Sequence, residues 1–230
     1  MFYMDQYYFI LILPAMIIAM IAQSRVQSSF QRYSRVASRR GITGAQAARR
    51  ILDAYGLNHV QIQHIAGNLS DHYDPTTNVV RLSDSVYGST SIASIGVAAH
   101  EVGHAIQHAH GYFPIKVRTA IIPITNLGSN LSMPLLFAGI LFSAPSLVNL
   151  GIILFSTMTV FQLVTLPVEF NASSRALAIL EQDYILEAEE IDGAKKVLSA
   201  AAMTYVAALI TSAAQLLRLI LLFGGRRNDD

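Results

Sequence analysis

The 230-residue sequence predicts a mainly α membrane protein, with about four hydrophobic helices and a small α+β domain between the first two. Three observations carry this. Hydrophobic residues make up 53% of the chain and charged residues 13%, about half the usual charged share. The mean hydropathy is +0.43, and the apolar residues gather in four runs of near-spanning length. Residues 41–113 break that pattern with helix caps, alternating segments and turn residues. The absence of cysteine excludes disulfides, thiolate metal sites and a cysteine nucleophile. A net charge of +1 with clustered arginines argues for membrane topology and against a nucleic-acid partner.

The first run, residues 7–22, follows the acidic Asp5 and lacks the basic start of a secretory signal peptide. Arg25, Arg32, Arg35, Arg39, Arg40, Arg49 and Arg50 follow it. The positive-inside rule therefore reads residues 1–23 as an uncleaved anchor with its N-terminus outside and the next segment in the cytoplasm. Residues 24–116 form the expected cytoplasmic domain. Thr43 and Gln46 have capping-box spacing ahead of a short helix that stops at Gly56. Residues 60–65 alternate as a half-buried strand does, and Asp74-Pro75-Thr76-Thr77-Asn78 is turn chemistry. Residues 79–82 are expected as the returning strand, and as an edge on which an extended peptide can pair. Residues 91–109 are helical in pattern, with Gly111 as the stop.

Residues 117–168 hold two further spans, roughly 119–142 and 147–166. Asn126 and Asn130 stand one turn apart on the first, expected to bond a neighbouring helix, with the wall of a polar cavity as the sharper reading. Residues 169–196 form a charged helical segment, and 197–230 a last hydrophobic helix with a short charged tail. Arg218 is expected to snorkel to the headgroups. A full crossing by this last run places Arg226 and Arg227 outside, against the charge rule, so a re-entrant or interfacial course stays open.

The chemistry concentrates in His100-Glu101-Val102-Gly103-His104. Residues i and i+4 share a helix face, so both imidazoles can reach one Zn2+ ion. Glu101, about 100° around the helix, can act as general base without ligating. A catalytic zinc needs a third protein ligand. His110 stands where the longer HExxHxxGxxH pattern ends, but Gln107 occupies the glycine position of that pattern. The other candidate is Glu169. Two spans separate it from His104, and an even number returns the chain to the same membrane face, which favours Glu169. The plain alternative is a solvated glutamate capping a helix. His72 and Tyr73 are candidate oxyanion donors, Arg175 a further one, and Asp71 a candidate brace for a histidine ligand. Ordinary turn chemistry serves equally for the Asp71–Pro75 segment, and His59 and His64 read as strand or turn residues.

The stretches GITGAQAARRIL, LSDHYDPTTNVVRLSDSVYGSTSIASIGVAAHEVGHAIQHAHGY, TLPVEFNASSRAL and VLSAAAMTYVAALI resemble the YugP-like family of neutral zinc metallopeptidases of bacterial membranes. That family is similar to HtpX-type and CAAX-prenyl-protease-type membrane gluzincins, in which a glutamate on a later helix completes the zinc site. The resemblance implies a zincin-like fold for the α+β domain, His100, His104 and Glu169 as ligands of one zinc per chain, and Glu101 as catalytic base. Asn171 replaces a common aspartate of the family, and Ser173 replaces the acidic residue of the broader gluzincins; Ser173 can still orient a ligand by hydrogen bonding. The expected protein is a multi-pass metalloendopeptidase of the cell membrane, its site facing the cytoplasm and its substrates membrane-associated polypeptides. A zinc-binding scaffold that does not hydrolyse, or a transport component, is the alternative. Natural substrate and oligomeric state are left open by the sequence.

Overall fold

A computed structural model describes residues 5–224. A single π-helical turn, Tyr8–Ile12, leads into α1 (Leu13–Tyr33). Then follow α2 (Gly44–Ala54), β1 (Gln61–Ile65), β2 (His72–Asp74), β3 (Val79–Ser83) and α3 (Ile92–Ala109). Three long helices follow: α4 (Phe113–Leu141), α5 (Pro145–Gln182) and α6 (Ala188–Phe223). Among the described residues, four helices are long and apolar enough to cross a membrane: Tyr8–Tyr33, Phe113–Leu141, Pro145–Gln182 and Ala188–Phe223. Mostly helical, with a small three-stranded sheet, the protein matches the expected class at that level.

The chain forms two compact units, each assembled from separated pieces. One comprises Met1–Ala22, Lys116–Pro167 and Thr204–Asp230. Its helices carry large exposed hydrophobics such as Ile10, Leu127, Ile153 and Leu163, as a lipid-facing surface requires. α4 and α5 approach closely at Gly128, where an added Cβ would stand 2.5 Å from the Leu154 carbonyl oxygen. Small residues at such crossings let membrane helices gain dispersion contacts that a hydrophobic effect cannot supply in lipid. A small core of Leu136, Val148, Phe155 and Leu219 ties α4, α5 and α6 together. Asn126 and Asn130 are exposed, so neither amide is buried against another helix of the unit.

Arg218 does not snorkel. Its Nε and Nη2 donate to the Asp5 carboxylate at 3.1 and 2.6 Å, and its guanidinium lies 5.5 Å from the Tyr8 ring centroid. A planar, delocalised cation suits a two-point carboxylate contact over an aromatic face. With its charge met inside the protein, the side chain has no need to reach for headgroups, and only 7% of it is exposed.

The second unit, Gln23–Ile115 with Val168–Met203, has a continuous core. Ile51 and Leu52 of α2, Leu82 of β3, Ile95 and Ile106 of α3, and Leu180, Ile185 and Leu186 at and beyond the end of α5 are all fully or nearly fully buried in it. Each such side chain contributes about 1.5–3 kcal/mol by leaving water. The Thr43–Gln46 capping box forms as expected, with Thr43 Oγ1 accepting from the Gln46 N–H and Gln46 Oε1 from the Thr43 N–H.

The sheet differs from the expected hairpin. Its order is β1-β3-β2, with β3 parallel to β1 (Ile62 opposite Val80) and antiparallel to β2 (Tyr73 opposite Val80). β3 is therefore the central strand and offers no free edge. Its burial explains this: Val79, Val80, Leu82 and Ser83 are all buried, the mark of a strand covered on both sides. The Asp74–Asn78 turn does form, but it joins β2 to β3. The three polar residues of β2 are too few to show a period.

Candidate metal centre

His100, Glu101 and His104 lie on α3, whose start is capped by Ser91 accepting from the Ser94 N–H. The helix ends at His110, with Gly111 at a φ of 61°, a left-handed position that suits glycine. Against α3 packs the stripe of α5 formed by Val168, Glu169, Ala172, Ser173 and Ala176, spaced three and four apart and all buried. The approach is closest at Gly103. A Cβ there would stand 2.9 Å from the Ala172 carbonyl oxygen, so the glycine inside the motif lets the two backbones meet. Pro167 sits inside α5 without ending it, and Glu169 thus stays in register with Ser173 one turn on.

This crossing brings together one donor atom from each of His100, His104 and Glu169, all within 4.8 Å of one another. Glu169 Oε2 lies 3.3 Å from His100 Nε2 and 3.5 Å from His104 Nε2. The side chains are 14%, 11% and 2% exposed, in the order His100, His104, Glu169. The donors fit zinc by type and by spacing. Two atoms each about 2.0–2.1 Å from one tetrahedral ion stand about 3.3 Å apart, close to both observed separations. The group could hold a metal ion. Burial pushes the pKa of His104 down, but the neighbouring Glu169 carboxylate and the charge of Glu101 outweigh it and hold it above the ordinary value.

Each imidazole is steered from its other nitrogen. Ser173 Oγ is 3.1 Å from His100 Nδ1, and Gln107 Oε1 is 3.0 Å from His104 Nδ1. The orienting contact expected of Ser173 is thus present. Gln107, which the sequence offered only as a mismatch to a longer motif, is fully buried and donates to the Val168 carbonyl at 2.8 Å and to Asn171 Oδ1 at 3.0 Å. Its side chain serves α3–α5 packing and the histidine together.

Other sequence candidates go elsewhere. His110 is exposed and is not in the donor group. Asp71 does not brace a histidine; it accepts from the Ser83 N–H at 2.7 Å and the Ser83 hydroxyl at 3.0 Å, and burial pushes its pKa up. The Tyr73 hydroxyl donates to Asn78 Oδ1, and His72 Nδ1 lies 2.9 Å from the Ser70 carbonyl. Arg175 gives its Nε–H to Asn171 Oδ1 at 2.8 Å. His64 pairs with Asp84 on the sheet.

The family described as "Putative neutral zinc metallopeptidase" matches residues 8–224, nearly the whole chain. The chain belongs to this family. It is also 49% identical over 209 residues to "Putative membrane protease YugP" of Bacillus subtilis (strain 168), covering 91% of this chain and 93% of that protein. No solved structure matches it. Family membership implies zinc, and among the described residues the donor group of two histidines and a buried glutamate is where such an ion fits.

Proposed function

We propose that the protein is a membrane-embedded zinc metalloendopeptidase in which His100, His104 and Glu169 hold one zinc ion and Glu101 is the general base. The observation that carries the reading is the convergence of those three donor atoms within 4.8 Å from α3 and α5, two helices separated in sequence by the whole of α4. A bound zinc would supply Lewis acidity, making water nucleophilic near neutral pH. Glu101 adjoins His100 in the chain and is buried, which supports the reading that its carboxylate takes the proton of the attacking water. The same carboxylate then delivers a proton to the departing amine nitrogen. Its low exposure keeps that proton from bulk water. Substrates are peptide bonds of membrane or membrane-proximal polypeptides, and the α+β segment acts as a zincin-like catalytic domain.

The proposal includes a topology. Residues 1–23 anchor the chain, 24–116 and 169–196 face the cytoplasm, and 117–168 cross twice. The Asp5–Arg218 pair joins the segment ahead of α1 to the last turns of α6, which supports a complete crossing by residues 197–223. The relevant test is turnover of a membrane-protein substrate by detergent-purified protein, wild type against Glu101→Gln. Loss of turnover with zinc retained is expected. Equal turnover in both would end the protease reading, and bound zinc without turnover in the wild type would turn it into a scaffold.

A further inference from the structure

The buried polar groups between α3 and α5 have a direction, and donor–acceptor bookkeeping reads it. An Arg Nε–H can only donate, so the Asn171 atom 2.8 Å from Arg175 Nε is an acceptor, its Oδ1. Gln107 approaches that same oxygen at 3.0 Å, and the Val168 carbonyl at 2.8 Å, with one end of its amide. Two oxygen acceptors require that end to be the NH2 group. The opposite end, Oε1, then faces His104 Nδ1 at 3.0 Å and needs a donor there. Reversing the amide would set its oxygen against two others at a site with no exposure to water.

We infer that Arg175, Asn171 and Gln107 form a positioning chain that fixes His104 as its Nδ1–H tautomer, presenting the Nε2 lone pair toward Glu169 and a divalent cation. This rests on the reading of His100, His104 and Glu169 as metal ligands. The alternative neutral tautomer would carry its hydrogen on Nε2, 3.5 Å from the Glu169 carboxylate, and would donate it there. A cation would then have to displace that hydrogen. Gln107 prevents the competition by placing a carbonyl oxygen where a bare Nδ1 would be repelled. The partner of His100 works differently. The Ser173 hydroxyl both donates and accepts, so it orients that ring without choosing its tautomer. The chain also gives Asn171 a purpose: its amide oxygen receives both Arg175 and Gln107, and an aspartate there would offer the same acceptor.

The test uses the full chain in detergent and measures zinc affinity by chelator competition, the visible spectrum of the cobalt(II) form, and thermal denaturation. Gln107→Met keeps the volume and removes the acceptor; zinc affinity is expected to fall about 10–100-fold, with a changed cobalt spectrum. Gln107→Glu keeps an acceptor for Nδ1–H but sets its second oxygen against those of Val168 and Asn171, so it is expected to bind zinc more tightly than Gln107→Met while melting below the wild type. Wild-type affinity in Gln107→Met would overturn the inference. So would equal weakening in both variants, because that would make Gln107 only a bridge between helices. Should Gln107→Met not fold, Asn171→Leu against Asn171→Asp reads the same chain one link back, with weakening expected only for leucine and equal affinities overturning it. A wild type that binds no zinc, or a His104→Ala variant that keeps it, would instead defeat the metal-site reading.

Discussion

Gly103 is the position where packing and metal binding are most tightly linked. Its replacement by alanine should stabilise an isolated helix by about 0.5–1 kcal/mol, because glycine loses the most backbone freedom. In the folded protein the new Cβ would stand 2.9 Å from the Ala172 carbonyl oxygen and 3.4 Å from the Ala172 carbon and Cα. The obstacle is backbone, so no rotamer change relieves it. Restoring an ordinary 3.4 Å contact moves α3 and α5 apart by about 0.5 Å, and overpacking of this kind costs about 1–3 kcal/mol. The packing loss outweighs the helix gain over most of these ranges, for a net destabilisation of up to about 2.5 kcal/mol, or up to about 10 °C in Tm for a chain of this length. The zinc site should suffer more. Ala172 lies between Glu169 and Ser173 on α5, and metal–ligand distances tolerate only about 0.2 Å. Calorimetry and chelator competition on Gly103→Ala should show a lowered Tm and zinc affinity reduced about 10–100-fold, as for other displaced ligand geometries. An unchanged or higher Tm with wild-type zinc affinity would refute the argument that this glycine sets the helix approach.

Three further outcomes follow from other parts of the molecule. Asp5→Ala should destabilise by about 1.5–3 kcal/mol, because it removes the carboxylate that accepts from the Arg218 guanidinium, of which 7% is exposed, while Asp5→Leu with Arg218→Met should recover most of the loss in denaturation assays. A deficit in the double variant as large as in the single one would mean the pair is not the source. Asp74 is held well below the usual carboxylate range by the Thr77 hydroxyl, then by Arg81. A depressed carboxylate stabilises the fold above its unfolded pKa, near pH 4, and that contribution is lost as pH falls through the folded value; Asp74→Asn should therefore flatten the acid limb of a stability–pH curve. For topology, single cysteines at Ala54 and Tyr184, both exposed, should resist an impermeant reagent in sealed cells, and one at Ser146 should react. Labelling at Tyr184 from outside would reverse the proposed orientation.

What the sequence disclosed was what local chemistry encodes. The Thr43–Gln46 box lies within one turn, the four apolar runs announce themselves by length, and the paired histidines share a face by helical spacing alone. Glu169 was reached through the parity of the spans and through the resemblance carried by TLPVEFNASSRAL around it, since no ligand spacing ties it to the two histidines. The hidden features are those whose partners lie far away in sequence. Arg218 meets Asp5 across 213 residues, which no local pattern can signal. β2 owes its place to pairing with β3, and its own His-Tyr-Asp carries no strand period. Gln107 looked like a defect in a longer histidine motif, when its amide spans 61 residues to Val168 and 64 to Asn171. The second span was placed at about 147–166 and the charged helical segment after it, whereas α5 runs unbroken through Pro167 to Gln182.

The central claim is that one zinc ion is gripped by two imidazoles of α3 and a carboxylate of α5. The most direct measurement is zinc content per chain, by elemental analysis of purified wild-type, Glu169→Ala and His110→Ala proteins. One zinc in the wild type and in His110→Ala, with loss in Glu169→Ala, is the predicted result. Full zinc in Glu169→Ala, or its loss from His110→Ala alone, would contradict the account.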